Sequence, residues 1–259
     1  MSTDPERELG DPGYAAGDTA PIAPVREDDV LLDAEGIGVD ASWGHIYGPV
    51  DLTIRRGGVS VLVGSGGRGR TALLLTLAGR MKPSTGTLTA FGRTNKAQNL
   101  FTNAAIGFID QVDGIEQTIR VRDVLTEQLR WKAPWYKFVG VGNEDDLERL
   151  CRPAFGPLTL PTLDAYVEEL PELTAALFRI AMANMRKPPL LVVGGVDNLT
   201  RDASTERLLD RLIDLGREQT VITADVNGVV PRPGITDVIE VTNLTDHEFV
   251  WLEREDQIL

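Results

Sequence analysis

The stretch VSVLVGSGGRGRTALLLTLAG, residues 59–79, constrains this chain more than any other. A β-branched run leads into clustered glycines, and leucines at helical spacing follow at once, so the sequence predicts a strand, a tight loop and a helix in direct succession. Glycines in such a loop let backbone N–H groups wrap a phosphate, and the amino terminus of the following helix adds its positive end. Gly64, Ser65, Gly66, Gly67, Arg68, Gly69, Arg70 and Thr71 match the spacing G-x-x-x-x-G-K-[ST], with Arg70 where the lysine belongs. Thr71 keeps the hydroxyl that such loops turn toward Mg²⁺. The same residues also suit a strand-to-helix turn that holds no ligand, and the rest of the chain has to separate the two.

Around this loop the pattern is that of an α/β protein. VLLDAEGIGVDAS and VDLTIRRGGVSVLVG read as short strands with a Gly-Gly turn. Residues 112 to about 185 carry a mostly helical pattern, and the apolar run LLVV at 190–193 reads as a buried strand. After it come the helix ERLLDRLIDLGRE, the strands TVITA and DVIEV, and a last strand pair through FVWLE. One α/β core with a helical insertion accounts for this order, residues 29–259 forming the domain. Residues 1–28, rich in Gly, Pro, Ala and acids, have neither period and read as a disordered acidic tail. At 42% hydrophobic and 25% charged residues, 259 residues in all, the chain is globular in composition. It shows no apolar run long enough to span a bilayer and no signal-like amino terminus, so a cytosolic location is expected. The single cysteine, Cys151, reads as a small buried hydrophobe. A net charge of −13 argues against nucleic acid as a partner.

Further motifs fall in a familiar order. KPSTGTLTAFG follows the first helix, IGFIDQ ends at Gln111, RVRDVL opens the helical block, and ELPELTAALFRIAMANMRKPPLLVVGG leads to the buried strand. Over residues 30 to 245 the sequence resembles the ATP-binding cassette family, the nucleotide-binding subunits of ABC transporters. The resemblance implies an α/β, P-loop NTPase-like cassette: a mixed sheet core with an antiparallel β edge and a helical subdomain at about 112–185.

Position by position, the resemblance also implies a loss of chemistry. The Walker B aspartate, which supports Mg²⁺, corresponds to Gly194, and the adjacent glutamate, which positions the attacking water, to Gly195; glycine fills neither role. Asp197 is the nearest acid, expected as a solvated turn residue or as a displaced metal ligand. The switch histidine is replaced by Ala224 and Asp225, and the chain's only histidines, His45 and His247, lie far off in sequence. In place of the signature L-S-G-G-Q stand Leu170, Pro171, Glu172, Leu173 and Thr174, where Leu173 obstructs the close backbone approach and Glu172 is expected to face a partner's phosphate with a carboxylate. Arg70 offers phosphate a planar fork rather than a compact ammonium.

The expected function is that of a pseudo-ATPase, structural or regulatory, docked on an integral membrane protein from the cytoplasmic face. The alternatives are a nucleotide sensor that binds ATP without hydrolysis and a genuine transport ATPase. No cofactor is required; ATP binding, if it occurs, is expected to be weak or independent of Mg²⁺. No metal site is expected. Trp43, in DASWGHIYG, stands near where the family stacks an aromatic on adenine, or else packs in the core. Gln111 lies at the position that flanks the membrane-subunit groove. RWKAPWYKF, residues 130–138, holds two of the four tryptophans, with Trp131, Lys132, Trp135, Tyr136 and Lys137 as candidate partner contacts. The alternative is that these rings anchor the helical block to the core. Pairing with another cassette subunit or with a second copy remains open.

Overall fold

A computed structural model describes residues 29–42, 44–109, 112, 115, 118–136 and 138–244. The expected tail, Trp43, Gln111, Lys137, the Lys132 side chain, His247 and the strand pair through FVWLE lie outside the described residues.

Two sheets form. The hairpin of β1 (Val30–Ala41) and β2 (Gly44–Arg55) is antiparallel. In β2, Val50, Leu52 and Ile54 are buried while Pro49, Asp51 and Thr53 face out, the period-two pattern of a half-covered sheet. After β3 (Gly58–Val63) and α1 (Arg68–Leu77), strand β4 (Thr85–Ala90) pairs with the free edge of β1, and the short β5 (Arg93–Thr94) completes the order β2-β1-β4-β5. Helix α2 (Ala97–Asn103) then leads into β6 (Ala104–Gly107).

A helical block follows: α3 (Val121–Lys132), α4 (Glu144–Phe155) and α5 (Glu172–Asn184). Asn143 and Asp146 cap α4 reciprocally, each side chain accepting the other's backbone N–H. Cys151 on α4 is fully buried, and burial pushes its thiol up to about 12, so it stays a neutral packing group. The chain returns through β7 (Leu190–Val193), α6 (Asp202–Gly216), β8 (Thr220–Asp225) and β9 (Ile235–Glu240).

The second sheet runs β6-β7-β8-β3-β9, with every pairing parallel. Parallel strands need helical crossovers, which cover both faces and require strands that are apolar on both sides. Strand β7 satisfies this: Leu190 and Val192 join a core with α1 and the antiparallel sheet, while Leu191 and Val193 join one with α5, α6 and the helical block. The expected antiparallel part of the α/β core is present as its own four-stranded sheet, packed across α1 from the parallel one. Arg55 ties the two together, its Nε donating to Asp237 of β9 at 2.7 Å.

Candidate functional site

The glycine loop sits between β3 and α1 at the carboxyl edge of the parallel sheet, the edge where such folds take ligands. Gly67 caps α1 at φ 113°, a region that L side chains rarely adopt, and no side chain caps the first-turn N–H groups. Gly69 is held against the chain returning from β9: a Cβ there would stand 2.9 Å from the Ile46 carbonyl oxygen and 3.1 Å from backbone of Leu244. The Ser65 hydroxyl donates to the Leu244 carbonyl at 2.9 Å, and that of Thr71 turns back to the Gly67 carbonyl at 3.3 Å. Arg68 is exposed at the first turn of α1.

Arg70 is not directed to open space. Its Nη1 donates to Asp197 Oδ2 at 2.8 Å, and the two side chains keep only 9% and 16% of their exposure. Asp197 is therefore not the solvated turn residue expected from sequence. The 3₁₀ turn Val196–Asn198, closed by Asn198 N–H donating to the Gly195 carbonyl, folds its carboxylate back under the end of β7. Of the two glycines before it, Gly194 is held against fixed backbone and Gly195 against the ends of the paired side chains. A Cβ on Gly194 would overlap the Phe108 carbonyl oxygen; one on Gly195 would overlap Asp197 Oδ1 and stand 3.0 Å from Arg70 Nη2. The guanidinium also lies along Gly66, whose added Cβ would meet Nη2 at 3.6 Å.

A third charge completes the cluster. Asp225 ends β8, is buried, and accepts from Asn227 N–H at 2.7 Å. Burial raises its pKa above the ordinary 3.8, with the nearby Asp197 charge adding to the rise; the Asn227 and Gly228 N–H groups and Arg70 oppose it. Ala224, beside it, is fully buried in the core. The strand order alone brings Arg70, Asp197 and Asp225 together, from β3–α1, β7 and β8, and no sequence motif pairs them.

The residues present fit a phosphate better than they fit Mg²⁺. Uncapped N–H groups and a positive-φ glycine suit an anion. The end of β7, by contrast, offers no carboxylate of its own, and the Phe108 carbonyl leaves no room for a side chain at Gly194. Among the described residues no cluster of three His, Cys, Asp or Glu side chains could hold a metal.

In the segment at the signature position, Pro171 precedes α5, and the Glu172 carboxylate accepts from the Thr200 N–H at 2.8 Å and the Arg201 N–H at 3.3 Å, just ahead of α6. The Thr200 bond first, then the Ser204 hydroxyl, holds Glu172 below the usual carboxylate range. Leu173 is half-buried against the helical core.

Trp131 and Trp135 do not anchor the helical block. They are 76% and 96% exposed, and Tyr136 and Phe138 are exposed beside them. Trp135 and Tyr136 meet edge to face at 5.9 Å, and Trp131 Nε1 donates to Glu127 at 3.2 Å. A groove of about 650 Å³, which sequence reasoning missed, runs between α2–β6 and α5, with Arg80, Phe101, Met182 and Arg186 on its walls.

The family described as ABC transporter matches residues 47–194, more than half of the chain. The chain is 31% identical over 112 residues to the probable multidrug ABC transporter ATP-binding protein YbhF of Escherichia coli K12, covering 43% of itself and 19% of that protein. To the cytochrome c biogenesis ATP-binding export protein CcmA of Cupriavidus necator it is 27% identical over 126 residues, covering 49% and 52%. It thus spans about half the length or less of these relatives. Among solved structures, cbiO1 of Clostridium perfringens, part of the ABC transporter complex cbiONQ, superposes with a TM-score of 0.61 at 19% identity, over 88% of this chain and 92% of that one. MJ1267, an ATP-binding cassette in its ADP conformation, gives 0.62 at 15% identity over 85% and 93%. With more than half its length matched and its strands and helices stacked as in those cassettes, this chain belongs to the ABC transporter family and has the fold of an ABC ATP-binding cassette.

Proposed function

We propose that this protein is a cassette subunit without hydrolytic chemistry, a pseudo-ATPase with a structural or regulatory role on a membrane protein complex. The observation that carries this reading is the Arg70–Asp197 pair lodged against Gly195. Hydrolysis of a nucleoside triphosphate in this fold needs a carboxylate to support Mg²⁺ and an acid to orient water. Here the nearest carboxylate is neutralised by the residue that stands in the place of the phosphate-binding lysine.

Phosphate release measured with MgATP tests the proposal: no turnover above buffer is expected, and Mg²⁺-dependent turnover abolished by Thr71→Ala would establish the genuine ATPase instead. A second reading, a nucleotide sensor, is favoured by the uncapped N–H groups at the start of α1 and by Gly67. In that reading Arg70 leaves Asp197 for the phosphates. ATP then raises the unfolding temperature with or without chelator, and Arg70→Ala removes the rise.

The partner in this reading is an integral membrane protein subunit, reached from the cytoplasmic side. The groove beside α5 and the exposed rings of Trp131, Trp135 and Tyr136 supply mixed apolar and cationic surface suited to such a contact. No helix among the described residues is long and apolar enough to cross a membrane, so the bilayer contact is assigned to the partner. Pairing with a second cassette is compatible with the fold.

A further inference from the structure

A second cavity, of about 290 Å³, opens at the far end of α1, roughly 15 Å along the helix from the glycine loop. Its floor is apolar, built from Leu88, Ala90 and Leu100, all buried. Its rim carries Lys82, from the segment between α1 and β4, and Arg93 of β5 with Lys96 just ahead of α2, all exposed. None of the three has an ion-pair partner among the described residues, and no carboxylate lines the cavity. On the adjoining strand β1, Asp40 is paired with His45 at 2.8 Å and Glu35 accepts from the Thr87 hydroxyl.

This charge imbalance is written into the chain. With 39 acids against 26 Lys and Arg, acids should be common everywhere, yet none occurs between Asp51 and Asp110, an interval that holds eight Lys and Arg. Unpaired like charges around one concavity repel each other and favour an anion between them. The carbonyl end of α1 does not oppose this strongly, because the Gly79, Arg80 and Met81 N–H groups take up the Leu75 and Thr76 carbonyls. Asn95 adds a donor: its Oδ1 accepts from Leu88 N–H at 3.0 Å, which leaves the amide N–H₂ for the cavity wall.

We infer that this cavity binds a small organic phosphate, a phosphomonoester carried on a compact apolar body. The rim cations and the Asn95 amide hold the dianion, and the Leu88–Leu100 floor takes the body. This inference is independent of what the glycine loop does, and the two sites are separable by mutation.

The test is titration of the full chain with phenyl phosphate, inorganic phosphate and phenol, followed by calorimetry and amide chemical shifts. Phenyl phosphate should saturate, bind more tightly than inorganic phosphate, and move the amides of Lys82, Arg93 and Asn95; phenol should do neither. The double variant Arg93→Glu/Lys96→Glu should weaken phenyl phosphate by about tenfold or more, since each attraction becomes a repulsion. Absence of saturation by about 10 mM, or equal affinity in the double variant, overturns the inference. If the double variant does not fold, Lys82→Gln decides: a several-fold weakening is expected, and none refutes the site.

Discussion

Arg70 and Asp197, 127 positions apart in the chain, meet at 2.8 Å beneath the end of β7, and the two glycines before Asp197 are what make room for them. The substitutions at the phosphate loop and at the strand end are therefore one arrangement. An arginine at the lysine position needs a counter-charge once buried, and the turn after Gly195 supplies it.

Breaking the pair from one side leaves a mostly buried charge without a partner. Asp197→Ala should lower unfolding free energy by about 3 kcal/mol, whereas Arg70→Met with Asp197→Leu should recover most of that loss. Urea denaturation of the two variants checks this, and equal losses would show that packing, not charge, dominates.

Restoring acids should not restore chemistry. Gly194→Asp with Gly195→Glu forces side chains into the Phe108 carbonyl and the Asp197 carboxylate, which should cost more than about 2 kcal/mol and yield no MgATP turnover. Gly194→Ala alone, measured by thermal unfolding, separates the steric cost from the charge.

Asp225 predicts a pH signature. Its folded pKa is raised, so the folded state holds the proton more tightly than the unfolded chain does. The stability this contributes is full below the ordinary value of 3.8 and is lost as pH rises through the folded value. Relative to wild type, Asp225→Asn should be more stable at neutral pH, and the advantage should shrink toward acid. Denaturation of both proteins from acid to neutral pH reads the difference directly, and a constant offset would refute the assignment.

The exposed rings carry no folding role. Trp131→Ala and Trp135→Ala should each change stability by less than about 0.5 kcal/mol, while reducing recovery of the protein with membranes of its host. Unchanged recovery in the double variant would remove this face from the docking proposal.

Local pattern made much of the fold legible. VSVLVG, the glycines and TALLLTLAG announce β3, the loop and α1, because strand period, positive-φ demand and helical spacing are all local properties. LLVV announces β7 by being apolar at every position, as a strand covered on both faces must be. The division into two sheets was not legible, since the pairing of β4 with β1, across two intervening strands and a helix, depends on long-range register.

By itself the sequence determined which groups are missing: no acid at Gly194 or Gly195, no lysine at position 70, no histidine at Ala224 or Asp225. Only the tertiary structure decided what those positions do instead. A side chain's partner is set by which strand ends lie side by side, and the order β7-β8-β3 places the Asp197 turn, Asp225 and the Arg70 loop at one edge. Asp197 changed from a solvent-facing turn residue to a largely buried counter-ion for this reason, while Glu172 accepts from the N–H groups just ahead of α6. A carboxylate takes the cation or N–H group that the fold sets beside it, and sequence distance says nothing about which that is.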